Sequence, residues 1–321
     1  MTASTLLYDR PGQVRIVRCV ECGHYYQNPR PTRETIGLCY PQNYGPHIET
    51  GQPTATESAR DLGTKKPWYL SGMVRSVPGL RRLYYALGDR YSEMLPPAPR
   101  PGRALEIGCG RGRYLEMLQQ GGWNVEGIEP AFEPGERCRD RGLRVQTGAF
   151  EDFELEKGSY DAVIAWMVIE HLHDPVSALR EIRRLLRPGG LLVFSVPNLA
   201  CWETWFFREY HFILNEPTHL NHFTPRSIKR LLALTGFTLN HLYYQENLYN
   251  VVGSLGLWLS KCWPRLYDGR RLLDFCESPS MSGRLALAPF AKLAAAMRQT
   301  GRVTIVATPH SLLDNSGSAV A

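Results

Sequence analysis

The stretch Arg103-Ala104-Leu105-Glu106-Ile107-Gly108-Cys109-Gly110-Arg111-Gly112 constrains the fold of this chain more than any other. A short apolar strand, with Leu105 and Ile107 as its buried residues, runs straight into three alternate glycines, and helix-forming sequence follows. Glycine turns tightly and lets a ligand approach the backbone where a Cβ would intrude, so this is a nucleotide-binding loop. A dinucleotide fingerprint places a third glycine three residues after the second. That position is Arg113, and the spacing is G-x-G-x-G with Glu106 two residues upstream, so the loop departs from the dehydrogenase pattern.

Beyond the loop, strand and helix patterns alternate. Strands are expected near 103–108, 124–129, 143–148, 160–166 and 191–197, a sixth opens at Gly236-Phe237 and runs to about Gln245, and the last is Arg302 to Ala307 before Thr308-Pro309. Such alternation predicts a doubly wound, mostly parallel α/β sheet with crossover helices, which binds ligands at the carboxyl ends of its strands. Thr224 is the expected N-cap of a helix with Pro225 in its first turn.

Glu106 to Gly112 reads acid-x-G-x-G-x-G and resembles the first motif of class I S-adenosylmethionine (SAM) dependent methyltransferases. Further segments follow in that family's order: Asn124 to Glu129-Pro130, Tyr160 to Trp166, Ile169-Glu170-His171-Leu172-His173-Asp174-Pro175, Leu186-Arg187-Pro188-Gly189-Gly190, and Val196-Pro197-Asn198. The resemblance covers about residues 100 to 245. It implies a Rossmann-like sheet of seven strands and SAM as cofactor. By the same resemblance Glu106, Gly108, Cys109, Gly110 and Gly112 form the cofactor loop, Glu129 accepts both ribose hydroxyls with Pro130 after it, and Ala149 and Phe150 flank the adenine. Trp166 and Met167 open the loop beside the methionine moiety. The family more often has Asp where this chain has Ala149.

The chain of 321 residues, 43% hydrophobic and 21% charged, has room for one α/β core and a small extra module. A formal charge of +6 without Lys/Arg runs interleaved with aromatics argues against nucleic acid. The start, Met1-Thr2-Ala3-Ser4, lacks a basic-then-apolar leader, and no apolar run reaches transmembrane length, so a cytoplasmic protein is expected. Eight scattered cysteines read as reduced thiols.

Seven segments are expected. Residues 1–45 carry Cys19-Val20-Glu21-Cys22-Gly23-His24 ahead of Asn28-Pro29-Arg30-Pro31, which resembles a zinc ribbon that has kept one of its two cysteine pairs. Cys19 and Cys22 would hold zinc only with two further ligands, for which His24, Cys39 and His47 are at hand without a common spacing. Residues 46–66 are linker, 67–100 a helical cap, 101–246 the SAM-binding core, 247–300 a helical insertion, 301–310 the final core strand, and 311–321 a disordered tail. The apolar helices of the insertion either pack on the core or lie on a membrane surface as a peripheral contact. Nothing in the sequence fixes the oligomeric state.

Methyl transfer is an in-line displacement, so the protein chiefly aligns acceptor and methyl and excludes water. A hydroxyl acceptor gains from a general base, and His171, His219 and His222 are the candidates. Each has a competing reading as a residue that merely bonds its loop to the core. Some quinone-pathway O-methyltransferases bind a divalent ion with E-x-x-E-H; Met167 stands in place of the first acid here, and no metal is expected in this loop. The favoured function is O-methylation of a small molecule: a carbohydrate or nucleotide-sugar, a lipid or quinone, or a secondary metabolite. A non-catalytic SAM- or metal-binding partner protein and an NAD-dependent oxidoreductase are the alternatives.

Overall fold

Neighbouring residues on the central strands are buried on opposite faces, so the sheet is covered from both sides. The computed structural model describes residues 4–9, 14–40, 94, 96–265, 269–277 and 280–310. The linker expected over 46–66, nearly all of the cap expected over 67–100 and the tail lie outside the described residues.

In chain order the strands are β1 (Ser4–Asp9), β2 (Arg15–Cys19), β3 (Tyr25–Gln27), β4 (Arg103–Ile107), β5 (Asn124–Glu129), β6 (Val145–Thr147), β7 (Tyr160–Trp166), β8 (Leu186–Pro197), β9 (Asn221–His222), β10 (Phe237–Tyr244) and β11 (Arg302–Pro309). Seven of them form one sheet in the order β10-β11-β8-β7-β4-β5-β6. Only β11 runs against the rest, pairing antiparallel with both β8 and β10. The chain winds outward from β4 through β5 to β6 and then returns to β7 on the other side of β4, so the topological switch lies between β4 and β7.

The helices are α1 (Arg113–Gln120), α2 (Phe132–Asp140), α3 (Pro175–Leu185), α4 (Trp202–Phe207), α5 (Pro225–Leu234), α6 (Tyr249–Cys262), α7 (Arg270–Glu277) and α8 (Met281–Ala296). On one face of the sheet Leu105, Val163 and Phe194 pack with Leu179 and Ile182 of α3 and Ile228 of α5. On the other, Ala104, Val125, Ile164 and Val193 meet Leu115 and Leu118 of α1 and Cys138 of α2. Burial on both faces is what a parallel sheet with crossover helices requires. Local chemistry fixes the helix starts. Asp174 accepts from Val176 N–H and Ser177 N–H ahead of Pro175 in α3. Thr224 and Ser227 form a reciprocal cap on α5.

The expected strands shift at their ends. The third shortens to Val145–Thr147, and the fifth begins at Leu186 because Leu186 already pairs with Tyr160 before Arg187-Pro188-Gly189-Gly190 interrupts the register. Helices α6, α7 and α8 occupy the insertion before β11. Among the described residues no helix is long and apolar enough to cross a membrane.

The N-terminal segment is a ribbon of β1, β2 and β3 joined antiparallel to β9, a strand of the core chain. Ile16, fully buried, packs with Leu199 and Leu214, and Tyr25 covers them. Ile16→Ala should therefore cost about 2–5 kcal/mol in urea unfolding, as other large-to-small core changes do. A loss within a few tenths of a kcal/mol would mean that the ribbon contributes little to the folded state.

Candidate active site

The glycine loop leaves β4 at the switch point. Gly108, Gly110 and Gly112 take φ of 69°, 50° and 73°, a region costly to other L-residues. A Cβ on Gly108 would lie 2.5 Å from Val168 Cγ2, in the loop after β7, and one on Gly112 would lie 2.6 Å from Leu143. The loop is thus pressed between the β7 loop and α2 while its backbone faces the strand ends.

Glu129 ends β5, fully enclosed. Its Oε2 accepts from Gly110 N–H at 2.7 Å and its Oε1 from Ala131 N–H at 2.9 Å. A carboxylate offers about four acceptor sites, and two of them go to these backbone donors. The sequence pattern predicts an acid here; its bond to the glycine loop comes from the fold. Pro130 follows it at the surface, and Glu106 lies buried in β4 beneath the loop. Cys109 contributes backbone only. Its thiol turns inward, where a hydrogen bond with Cys138 and burial both push its pKa up.

Trp166 closes β7 with its ring edge-on to Tyr114 at 5.3 Å, and its buried Nε1–H has no hydrogen-bond partner. Met167 follows with φ 55°, an uncommon conformation for this residue type, its N–H donating to Ser195 O at 3.1 Å. After β6, Phe150 is buried and Ala149 N–H donates to Asp152 Oδ2 at 3.2 Å. An acid therefore stands at this strand end three residues beyond the position where the family has one, a placement that only the turn of the loop reveals.

Past Trp166 the chain forms a histidine pocket. His171 Nδ1 lies 3.0 Å from Thr218 O and 3.1 Å from the Tyr40 hydroxyl. His219 Nδ1 lies 2.7 Å from Ile213 O, and the two imidazoles meet edge-on at 4.7 Å. Each Nδ1 faces a carbonyl and so carries the proton, which leaves the Nε2 atoms as acceptors. Burial holds His171 down to about 4, and burial with the neighbouring His171 holds His219 well below the usual histidine range. Both rings are neutral at neutral pH.

Glu170 adds a fully buried carboxyl whose two oxygens have no hydrogen-bond partner. Desolvation raises its pKa to about 8, so it is largely protonated at pH 7. Glu170, His171 and His219 bring one ligand atom each within 4.8 Å of one another, a set able to hold a cation. The absence of an acid at 167 pointed away from a metal; His219, arriving from a distant loop, supplies a third donor that spacing does not reveal.

His222 is placed apart, in β9 opposite Tyr25. It is fully buried, and burial lowers it to about 3. The ribbon closes over this region. Tyr40 reaches His171, His173 Nε2 lies 3.0 Å from Pro31 O, and His24 Nε2 lies 3.2 Å from Asn221 Oδ1. Cys19 and Cys22 flank a turn in which Gly23 N–H donates to Cys19 O at 2.9 Å. Among the described residues no third ligand joins these two thiols, and His47 lies outside them.

Residues 80–242 match a family described as a methyltransferase domain. A ubiquinone biosynthesis O-methyltransferase of Vibrio parahaemolyticus is 34% identical over 103 residues, 30% of this chain and 44% of that protein. An uncharacterized 37.1 kDa protein in transposon TN4556 of Streptomyces fradiae is 39% identical over 114 residues, 33% of this chain and 32% of that protein. The chain thus spans less than half the length of these curated relatives. Among solved structures, a geranyl diphosphate C-methyltransferase from Streptomyces coelicolor A3(2) superposes with a TM-score of 0.47 at 17% identity, over 77% of this chain and 88% of that one. With the matched family spanning just over half of the residues, and with the strand order and glycine loop described above, the chain belongs to the methyltransferase-domain family and has the class I SAM-dependent methyltransferase fold.

Proposed function

We propose that this protein transfers a methyl group from SAM to an oxygen nucleophile on a small-molecule acceptor. One observation carries the reading: three left-handed glycines and a buried carboxylate meet at the topological switch, with Glu129 holding the Gly110 N–H. That cradle suits a nucleoside with vicinal hydroxyls. The unpartnered Trp166 Nε1–H supports a polar ligand group beside β7. When bound, SAM supplies a methyl on a sulfonium centre, and the chain holds the acceptor in line and keeps water out. The relatives named for O-methylation in ubiquinone biosynthesis support oxygen as acceptor and add weight to a quinone-type hydroxyl among the classes considered.

In this reading a neutral Nε2 of His219 or His171 takes the hydroxyl proton. A histidine of lowered pKa keeps its basic form down to acid pH, so the rate should be flat in these groups above about 4, the value to which burial brings His171. His219→Ala should lower kcat by about 10²–10⁴ with SAM affinity intact. Near-normal turnover of that variant on the true acceptor across about pH 6 to 9 would remove His219 from the mechanism.

A second reading is favoured by the cluster of Glu170, His171 and His219 within 4.8 Å. A divalent cation on these three would polarise the acceptor hydroxyl in place of a base. Turnover that survives EDTA supports the first reading; loss restored by magnesium selects the second.

Two variants test the parts separately. Glu129→Ala removes bonds of a kind worth about 1.5–3 kcal/mol, so SAM affinity should fall about tenfold to somewhat over a hundredfold in calorimetric titration. Unchanged affinity would overturn the cofactor site. Glu170 binds its proton more tightly folded than unfolded, so its contribution to stability is present at low pH and is lost as pH rises between 4.5, the ordinary value, and about 8. The loss is up to about 1.4 kcal/mol per pH unit in that window. Glu170→Gln should flatten this slope and raise Tm at pH 8 more than at pH 5. An equal shift at both pH values would show that Glu170 is not the titrating group.

A further inference from the structure

The segment after β8 carries a second polar cluster, made of residues other than those of the glycine loop and the His171 pocket. Cys201, Glu203 and His211 are all fully buried, and each offers one ligand atom within 4.8 Å of the others. Thr204 lies beside the histidine. Its hydroxyl donates to Leu199 O at 2.7 Å, so toward His211 Nδ1, 3.3 Å away, it can only accept, and it suits the tautomer with the proton on Nδ1. Cys201 Sγ lies 3.7 Å from the same hydroxyl oxygen.

His211 Nε2 then faces Glu203 Oε2 at 3.3 Å. With the proton on Nδ1, Nε2 turns its lone pair toward the carboxylate in a buried site, and a cation can lie between them. A second ring proton would make a charge-assisted bond, but such bonds are about 2.7–2.9 Å long. Nitrogen and oxygen ligands of a tetrahedral ion, with bonds of about 2.0–2.2 Å, lie about 3.3–3.6 Å apart. The observed separation matches the edge of a tetrahedron. Outer-sphere support is present too, since metal-bound histidines donate their other N–H to a fixed acceptor, here the Thr204 oxygen. A fourth donor is near. Asn250 of α6 is buried with its Oδ1 unpartnered, and a Cβ placed on Gly301 would lie 2.9 Å from the Asn250 amide nitrogen and 3.2 Å from Glu203 Oε1.

We propose that Cys201, Glu203 and His211 bind one structural transition-metal ion, zinc by the chemistry of its ligands, with the Asn250 amide beside the fourth position. The ion replaces the thiol proton of Cys201, which leaves to solvent as the metal–sulfur bond forms; no electrons move. Bound there, it ties the start of α4, which bears Trp202, Trp205 and Phe206, to the segment of His211 beside α6, so it orders the chain after β8 and takes no part in chemistry.

The test is metal analysis and cobalt substitution of the full-length protein. The expected result is about one equivalent of zinc per chain retained at this site through gel filtration. The cobalt(II) form should have a sulfur-to-metal charge-transfer band and the intense visible absorption of tetrahedral cobalt. Cys201→Ser should lose the charge-transfer band, His211→Ala should lose the tetrahedral absorption, and the double variant Cys19→Ser/Cys22→Ser should retain both. A wild-type protein that gives no charge-transfer band with cobalt(II) overturns the proposal whether or not the variants fold. So does a band that persists in Cys201→Ser and disappears in the Cys19/Cys22 variant, which would move the metal to the N-terminal pair.

Discussion

The two backbone bonds that Glu129 accepts, from Gly110 at 2.7 Å and Ala131 at 2.9 Å, join the loop after β4 to the loop after β5. The rest of the cradle follows from that junction. Gly110 needs left-handed backbone to present its N–H to the carboxylate, Gly108 needs it to pass Val168, and Gly112 needs it to start α1 against Leu143. The parallel order of β7, β4 and β5 brings all of these to one edge of the sheet. A buried carboxylate is costly unless its oxygens are bonded, and the loop donors compensate Glu129. The same contact therefore stabilises the acid and shapes the backbone that a cofactor meets.

The histidine pocket depends on a different effect, exclusion of water by segments remote in sequence. His171 and His219 are held neutral because the loop after β7, the turn before β9 and the N-terminal ribbon enclose them. Tyr40, with its hydroxyl 3.1 Å from His171 Nδ1, follows the ribbon in the N-terminal segment, and the ribbon is anchored by β3 pairing with β9 and by Ile16 packing on Leu199 and Leu214. Desolvation is a property of the assembled cover, so the pKa of His171 is coupled to docking of the N-terminal strands.

How much could be read in advance follows the range of each interaction. The glycine loop, the acid at 129, the Thr224 cap and the strand alternation are local patterns, and the structure carries each of them. The shared site of His171 and His219 was not legible, because Thr218 and the backbone of Ile213, which orient the rings, come from another loop. Strand β9 is two residues long, too short for any period, and exists because Tyr25 and Tyr26 pair with it. Asp152 escaped notice because the turn after β6, not spacing, brings its carboxylate to Ala149 N–H. The cluster of Cys201, Glu203 and His211 lay within an aromatic run whose apolar residues dominate any reading of that stretch.

Two buried acids show how this fold treats charge away from water. Glu170 has no hydrogen-bond donor at either oxygen, so desolvation wins and the group takes up a proton below about pH 8. Glu203 is equally enclosed but faces His211 at 3.3 Å. There a ring nitrogen, not an empty apolar wall, meets the carboxyl. The Thr204 hydroxyl bears on this contact, because by donating to Leu199 it suits the tautomer that turns the lone pair of His211 toward the carboxylate. If that threonine bond were reversed, Nε2 would carry the proton and donate directly to the carboxylate. With the proton on Nδ1, a cation between ring and carboxylate would satisfy both, so the two buried acids are answered by different chemistry.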